Sequence, residues 1–170
     1  MPYLLIVLTV LLRFFPHPFG LTPVGALGLF AGAYCPPKIA WAVPLLALAV
    51  GDLMNGGYHL LVMVFVYVGF LGGPLLGRWL LSKRRNPGNL VIAVLGGASI
   101  FFLVSNFGMW LADPGDLYAP TLTGLLNCYI NGLPYFRIML IGDLVYSAIL
   151  FGAAEAFNRY RHVLSPAHRD

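Results

Sequence analysis

Long apolar runs, separated by short turns rich in proline, glycine or charge, dominate the sequence from end to end. Each run is apolar on every face, which is typical of helices surrounded by lipid. A helix needs about 20 residues to cross a bilayer, so the pattern predicts about six transmembrane helices. The second and third runs are short, and they are alternatively interpreted as one broken hairpin. The six runs cover approximately residues 3–15, 21–34, 39–53, 59–81, 90–111 and 134–157.

None of these runs alternates between apolar and polar residues over the roughly ten positions that a membrane β-strand requires. Helices and closed barrels are the two structures that satisfy the backbone in hydrocarbon. We therefore predict an all-α polytopic membrane helix bundle that forms one transmembrane domain over residues 1–170. The longest polar stretch, from Ala112 to Leu133, is predicted to be a loop.

The composition agrees with this pattern. Hydrophobic residues make up 59% of the chain and charged residues 9%, and the mean hydropathy is +0.83. A soluble domain carries about 25% charged residues. Ten Lys and Arg with six Asp and Glu, at a net charge of +4, are too few to cover a water-facing surface or to build a basic face. The composition therefore excludes a soluble domain, a disordered chain and a nucleic-acid-binding module, and it favours the lipid bilayer as the surroundings.

Basic residues are distributed unevenly among the connections between the runs. Connections rich in Lys and Arg face the cytoplasm in membrane proteins. With six helices, this rule places both termini in the cytoplasm, as expected of a multi-pass protein of the cell membrane. Arg13 and Arg137 alone then fall on the outer side. The predicted cytoplasmic segments contain Lys38, Arg78, Lys83, Arg84, Arg85, Arg159, Arg161 and Arg169.

Glycines recur at four-residue spacing on two of the predicted helices. Such glycine ladders allow helix backbones to approach closely in lipid. Two interpretations follow: close packing inside the bundle, or docking of these helices onto a separate membrane subunit. The candidate helix-docking residues are Gly28, Gly32, Gly69, Gly73 and Gly77.

Polar and aromatic residues gather on the outer side of the predicted bundle, whereas the cytoplasmic half has few buried polar groups. An apolar concave wall with a few placed polar groups is typical of a small-molecule site. The aromatic residues also suit the interfacial belt of a membrane protein. An outward-facing pocket is therefore predicted, with nine candidate ligand-binding residues: Asp52, Asn55, His59, Asn106, Trp110, Tyr118, Asn127, Arg137 and Asp143.

Asp143 is the most deeply embedded charge, because Ile141-Gly142 precede it and Leu144-Val145 follow it. Ionisable groups within membrane helices are costly and usually face the protein interior. Three roles remain open for these charges. They are a structural ion pair or interhelical hydrogen bond, in which Arg137 pairs with Asp143 or with Asp52; ligand binding by Asp52, Asp143 or Arg137; and a proton relay.

The sequence offers little for chemistry beyond binding. His17, His59 and Asp52 fall on the same predicted side, but no helical pair of histidines has the spacing of metal ligands. These histidines are interpreted as interfacial hydrogen-bonding groups, and no metal or cofactor is expected. The chain has no GxSxG, HExxH, P-loop or dinucleotide-binding motif. We therefore predict that it is not an enzyme.

Several short motifs, taken together, resemble a family of bacterial membrane proteins of unknown function, over nearly the whole chain. That family is in turn similar to the S components of energy-coupling-factor vitamin transporters. The second resemblance implies six helices, cytoplasmic termini and an outward-facing ligand pocket, together with a transmembrane coupling subunit and two cytosolic ATPases as partners. The motifs are 15–18 (FPHP), 22–34 (TPVGALGLFAGAY), 51–53 (GDL), 105–110 (SNFGMW), 132–136 (GLPYF) and 142–144 (GDL).

The function that these expectations favour is the membrane-embedded substrate-binding subunit of a small-solute, vitamin-like importer. The chain has no ATPase motif, so a partner would supply the energy. The alternative is a structural or assembly subunit of a larger membrane complex, which the glycine ladders also suit. A stand-alone channel or carrier would need polar residues in the cytoplasmic half as well.

Overall fold

The computed structural model describes residues 2–12, 22–113 and 115–164. All regular structure in these ranges is helical. Between α5 and the turn before α6, a π-helical segment covers Gly77–Leu81. The helices are α1 (Pro2–Leu12), α2 (Val24–Tyr34), α3 (Pro37–Asn55), α4 (Leu60–Phe70), α5 (Gly72–Leu76), α6 (Pro87–Ala112) and α7 (Leu122–Leu164).

Four stretches of helix are long and apolar enough to cross a membrane, and α1 and α2 are shorter apolar helices. The prediction of an all-helical, membrane-type bundle is confirmed at this level. The count of six spans and the sidedness of the termini remain predictions. The four spans are Pro37–Met54, Leu60–Leu81, Pro87–Ala112 and Leu122–Arg161.

Helix α2 forms the centre of the bundle. Nine of its 11 residues are buried, including Leu27, Leu29 and Phe30, and it contacts α3, α5, the π-helical segment, α6 and α7. A helix that is apolar on all sides suits the core of a protein as well as lipid. The short second run of the sequence therefore becomes the core rather than a lipid-facing helix.

Close backbone contact explains the glycine ladders. A Cβ on Gly32 would overlap the carbonyl oxygen of Pro74, and a Cβ on Gly77 would overlap the carbonyl oxygen of Leu29. Only glycine permits α2 to approach α5 and the π-helical segment this closely. All five candidate docking glycines contact other helices of the same chain: Gly28, Gly32, Gly69, Gly73 and Gly77.

Helix α6 runs antiparallel to the helices on both of its sides. Gly69 of α4 lies against Phe101 of α6, whereas Phe65, one turn earlier in α4, lies against Gly108. On the other side, α6 packs along the first part of α7. These pairings fix which levels of the three helices lie together.

The pairings also bring most basic positions to one end of the bundle. The turn at residues 82–86 joins the π-helical segment to α6, and Arg85 in this turn contacts the C-terminal end of α2. Phe151 of α7 packs on Phe30 and Tyr34 of α2, so the last turns of α7, with Arg159 and Arg161, continue past this end. Which end faces the cytoplasm remains a prediction.

The predicted loop from Ala112 to Leu133 is wrong over most of its length. The connection covers residues 113–121, and α7 begins at Leu122. The Thr121 hydroxyl accepts a hydrogen bond from the backbone N–H of Gly124 at 3.2 Å, which caps the start of the helix. Pro134 lies inside α7 without ending it, since membrane helices tolerate proline when neighbouring helices cover the freed backbone group.

Candidate functional site at Asp143

The carboxylate of Asp143 caps the N-terminus of α2. The backbone N–H of Ala26 donates to Asp143 Oδ1 at 3.2 Å, and Asp143 is only 4% exposed. The residue at the N-cap position is Pro23, whose side chain makes no capping hydrogen bond. A helix begins with amides that lack an internal partner, and a carboxylate stabilises this positive end of the helix dipole.

Gly25 makes this contact possible. A Cβ on Gly25 would overlap both carboxylate oxygens of Asp143. Any larger residue would therefore displace the carboxylate from the first turn of α2. Gly25 and Asp143 form one unit although they are 118 positions apart in the sequence, one more than the 117 positions between the hydrogen-bonded Ala26 and Asp143.

This unit lies at the level of the middle of helix α6. Gly97 of α6 lines the same small cavity as Gly25 and Asp143. Gly97 is ten positions after Pro87, where α6 begins, which corresponds to about 15 Å of helix. The hydrocarbon core is about 30 Å thick. Helix α2 therefore begins about halfway along α6, which is mid-depth in any bilayer that α6 spans, and it ends at the basic end of the bundle.

A small cavity lies between α2, α4, α5, α6 and α7. Its walls include Gly25, Gly69, Gly73 and Gly97, and Asp143 is the one charged side chain among the described residues that line it. The centre of a water molecule can occupy about 10 Å³ of this space, which suffices for about one water molecule. The glycines leave the space open because they have no side chain to fill it.

One buried side-chain atom close to Asp143 has no hydrogen-bond partner among the described residues, and one oxygen of the Asp143 carboxyl group has no described donor. Asp143 Oδ1 accepts from Ala26, but no described residue donates to Oδ2. Ser147 lies one turn further along α7 and is fully buried, and its Oγ has no hydrogen-bond partner within 2–12, 22–113 and 115–164. Buried polar groups are normally paired. The site therefore retains unused hydrogen-bonding capacity.

Arg85 occupies the opposite end of α2. Its guanidinium donates to the carbonyl of Ala33 at 3.2 Å and to that of Leu81 at 3.2 Å. The guanidinium carbon lies 4.1 Å from the centre of the Tyr34 ring. A cation stabilises the C-terminal end of a helix dipole, so α2 has a negative group at its start and a positive group at its end.

We expect Arg85→Ala to lower the free energy of unfolding by about 1 kcal/mol, because the variant loses a charge-assisted hydrogen bond and a cation–π contact. Thermal unfolding in detergent, followed by circular dichroism, measures the change. Lys83→Ala in the same exposed turn is the matched control and should leave stability within about 0.5 kcal/mol of wild type. Equal losses in both variants would contradict a specific role for Arg85.

The predicted ligand-binding residues with described contacts mostly bond to their own helix or its neighbours. The side-chain amide of Asn106 donates to the carbonyl of Phe102 at 2.8 Å. Trp110 Nε1 donates to the carbonyl of Ala119 at 3.0 Å. The hydroxyl of Tyr67 donates to Asp52 at 2.9 Å. These contacts connect α6 to the following loop and α3 to α4.

The remaining candidates do not join Asp143. His59, Asn127 and Arg137 are exposed and Tyr118 is half-buried. The side chain of Asn55 and the whole of His17 lie outside the described residues. The structure therefore brings Asp143 to the cavity but distributes the seven other candidates with described side chains over the surface, the loop and two helix pairs.

Asn106 lies far from Asp143 when the distance is measured along α7. The side-chain amide of Asn106 lies next to Gly132, which is 11 positions before Asp143 and therefore about 16 Å away along α7. Within the described ranges, Arg137 forms no ion pair with Asp143 or with Asp52, and the one salt bridge joins Arg159 to Glu155. No three described His, Cys, Asp or Glu residues form a group suited to a metal ion.

Sequence reasoning did not find the partners of Asp143. Gly25 was visible only as part of a glycine-rich motif, and the donor is a backbone amide that no residue type reveals. Ser147 has no distinctive neighbours in the sequence. The one available signal was the N-terminal side of α2, where Thr22-Pro23 offers no aspartate or serine to cap the helix.

Asp113 organises the connection between α6 and α7. Its carboxylate accepts hydrogen bonds from the backbone amides of Gly115, Asp116, Leu117 and Tyr118, at 2.6–3.4 Å. Partial loss of solvation raises the pKa of this carboxyl group, but the four amide donors outweigh that effect and hold the pKa below its ordinary value of 3.8. The ionised form therefore stabilises the loop.

We expect the loop to lose this order in acid. A depressed pKa in the folded state means that the stabilisation is present above pH 3.8, the ordinary value, and is lost as the pH falls through the lower folded value. Trp110, bonded to Ala119, reports on the loop in a variant whose other tryptophans, Trp41 and Trp79, are phenylalanine. Its fluorescence should change below pH 3.8 in this variant and already differ at neutral pH after Asp113→Asn. Fluorescence unaffected by the substitution would contradict the assignment.

The chain matches, over residues 1–166, a family of unknown function (DUF6580). The chain belongs to this family. No curated protein and no solved structure matches it. The resemblance to bacterial membrane proteins of unknown function agrees with this membership, whereas none of these comparisons links the chain to S components of vitamin transporters.

Proposed function

We propose that this member of the family is a membrane-embedded solute-binding subunit of a small-solute importer, and that its binding site is centred on Asp143. The observation that carries the proposal is the start of α2 near the middle of α6, a candidate membrane span, directly beside a buried carboxylate and an open space. Transporters commonly place their substrate where a helix begins or ends near the bilayer midplane. Irregular backbone at that depth is tolerated where protein or a cavity surrounds it.

The electrostatics support binding at this position. A buried carboxylate is costly unless it is paired, and ionisable groups inside membranes usually mark substrate or ion pathways. Only Ala26 donates to Asp143 in the described part of the chain. A solute that donates hydrogen bonds to the free oxygen would complete the site.

The size of the cavity narrows the proposal. A drug-sized ligand needs a pocket of about 300–1,000 Å³, whereas the volume open to the centre of a water molecule in this cavity is about 10 Å³. Only the polar head of a solute fits between the helices in this conformation. A larger, vitamin-like solute would require α2 to move away from α4 and α5. In the present conformation, Gly28 and Gly73 allow α2 to pack closely against α5.

The importer part of the proposal rests on two sequence features. The chain has no ATPase motif, so active import would depend on a separate coupling subunit with cytosolic ATPases, as the resemblance to S components implies. The basic end of the bundle, predicted to be cytoplasmic, is the surface nearest to such partners.

The experiment is a binding screen on the purified protein in lipid nanodiscs. Thermal unfolding is recorded with a panel of vitamins, nucleobases, amino acids and amines, and each hit is confirmed by isothermal titration calorimetry. At least one solute should raise the unfolding temperature in a saturable manner. Asp143→Asn should weaken the binding of that solute, whereas Asp116→Asn in the exposed loop should leave its binding unchanged. A panel without any saturable solute would overturn the proposal.

A structural subunit of a larger complex is the second candidate function. One observation favours it: Asn106, Trp110 and Asp52 all have partners within the chain, as expected of residues that stabilise a scaffold. This candidate predicts that a partner co-purifies in stable, stoichiometric amounts from the native membrane after mild solubilisation. It also predicts no solute-dependent change in unfolding temperature.

A further inference from the structure

The chemistry of the cavity at Asp143 selects one class of occupant. We infer that the site binds a protonated nitrogen, as free ammonium or as the primary ammonium head of a small amine. The inference rests on the proposed function, because it names the class of solute for the same site. Its basis is the combination of a free carboxylate oxygen, a space of water-molecule size and walls of glycine and apolar residues.

Charge is the first step of the argument. Asp143 is 4% exposed, and no Lys, Arg or His among the described residues lines the cavity beside it. The dipole of α2 provides about half a positive charge at its N-terminus, which compensates the ionised form of Asp143 only in part. A cationic occupant compensates it without removing the hydrogen bond from Ala26 to Oδ1.

Size is the second step. The accessible space of about 10 Å³ suits one atom of the size of a water oxygen, and an ammonium nitrogen has that size. A guanidinium or a quaternary ammonium group is larger and would need the glycine walls to separate. The short distance between the helices thus selects against bulky cations.

Hydrogen bonding is the third step. An ammonium group carries three or four N–H donors and can donate to Asp143 Oδ2, which no described residue occupies. Phe70 also lines the cavity, and its carbonyl lacks the usual helical donor because residue 74, four positions later, is proline. Ser147 Oγ, one turn from Asp143 on α7, lacks a partner in the described chain, but Ser147 lies outside the lining of the cavity.

The walls argue against a metal ion. Hard metal ions require six or more oxygen ligands in a suitable geometry. The described lining has a single carboxylate, and its other members are glycine, alanine and apolar side chains. An ammonium ion has fewer directional demands, because its N–H groups need only two or three acceptors.

The test uses the protein in nanodiscs and four salts at equal ionic strength: ammonium chloride, methylammonium chloride, tetramethylammonium chloride and sodium chloride. Ammonium and methylammonium should raise the unfolding temperature in a saturable manner, whereas tetramethylammonium and sodium should not. If methylammonium binds more tightly, the natural solute is an amine; if ammonium does, it is the free ion. Both results support the inference.

Two variants connect this effect to the cavity. Asp143→Asn, which keeps an oxygen for Ala26 but removes the charge, should weaken binding at least about tenfold. Asp116→Asn, which removes an exposed carboxylate in the loop, should leave the affinity unchanged. An equal response to all four salts, or an ammonium effect that persists in Asp143→Asn, would overturn the inference.

The outcome also separates this inference from the proposed function. A neutral or anionic solute that binds in the panel, without any response to ammonium or methylammonium, overturns the ammonium site and leaves a solute-binding subunit. The absence of binding by any compound overturns both.

Discussion

Replacing Gly32 or Gly77 with alanine is expected to lower the free energy of unfolding by about 2 kcal/mol, within the range for overpacked cores. The added methyl group of either variant would overlap a backbone carbonyl oxygen, that of Pro74 or that of Leu29. Backbone cannot change rotamer to relieve the overlap, so α2 must move away from α5 and the π-helical segment. The gain of about 1 kcal/mol in helix propensity from glycine to alanine offsets only part of this cost.

The matched control is Gly152→Ala, because a Cβ at this position of α7 meets no atom within 4 Å. This variant should keep or slightly raise stability. Reversible unfolding in mixed micelles, measured for all three variants under one condition, provides the comparison. Equal stability of Gly77→Ala and Gly152→Ala would contradict the close packing of α2.

Two substitutions of Asp143, by alanine and by asparagine, are expected to separate the effect of its charge from the effect of its hydrogen bond. Asp143→Ala leaves the Ala26 amide without an acceptor inside the membrane and should lower stability by about 2–3 kcal/mol. Asp143→Asn retains an acceptor oxygen and removes the cost of a buried charge. We expect its stability to stay within about 1 kcal/mol of wild type.

Gly25→Ala tests the contact between Gly25 and Asp143 from the α2 side. Its methyl group would displace the carboxylate, so its loss of stability should resemble that of Asp143→Ala. In the double variant Gly25→Ala, Asp143→Ala, the second substitution should add little, since the contact is already broken. Fully additive losses would show that the two residues act independently.

Much of the fold was predictable from hydropathy alone. The runs at residues 59–81 and 90–111 correspond closely to the observed spans Leu60–Leu81 and Pro87–Ala112, because lipid demands long apolar helices whose ends are marked by charge and proline. The start of α7 was missed. Residues 122–133 contain three polar side chains and two glycines and read as a loop, but the Thr121 cap and packing on α6 make them helical.

The site was predictable only in part. An acidic residue within a long apolar run stands out in a membrane sequence, so Asp143 could be identified as a candidate. The structure places it in the core. Its partners depend on which helices meet, and a pattern along one chain does not encode that choice. The other polar candidates were grouped by predicted sidedness, yet residues on the same side of a membrane, such as Asn106 and Asp52, belong to different helix pairs.

The short length of α2 also has a consequence for biosynthesis. Its 11 residues are fewer than the roughly 17–25 that a helix needs to enter a bilayer on its own. They leave the ribosome before α4, α5 and α7, and the carboxylate that caps them is 117 positions later than Ala26. The contacts that bury α2 can therefore form only after the later helices, including the part of α7 with Asp143, have been synthesised.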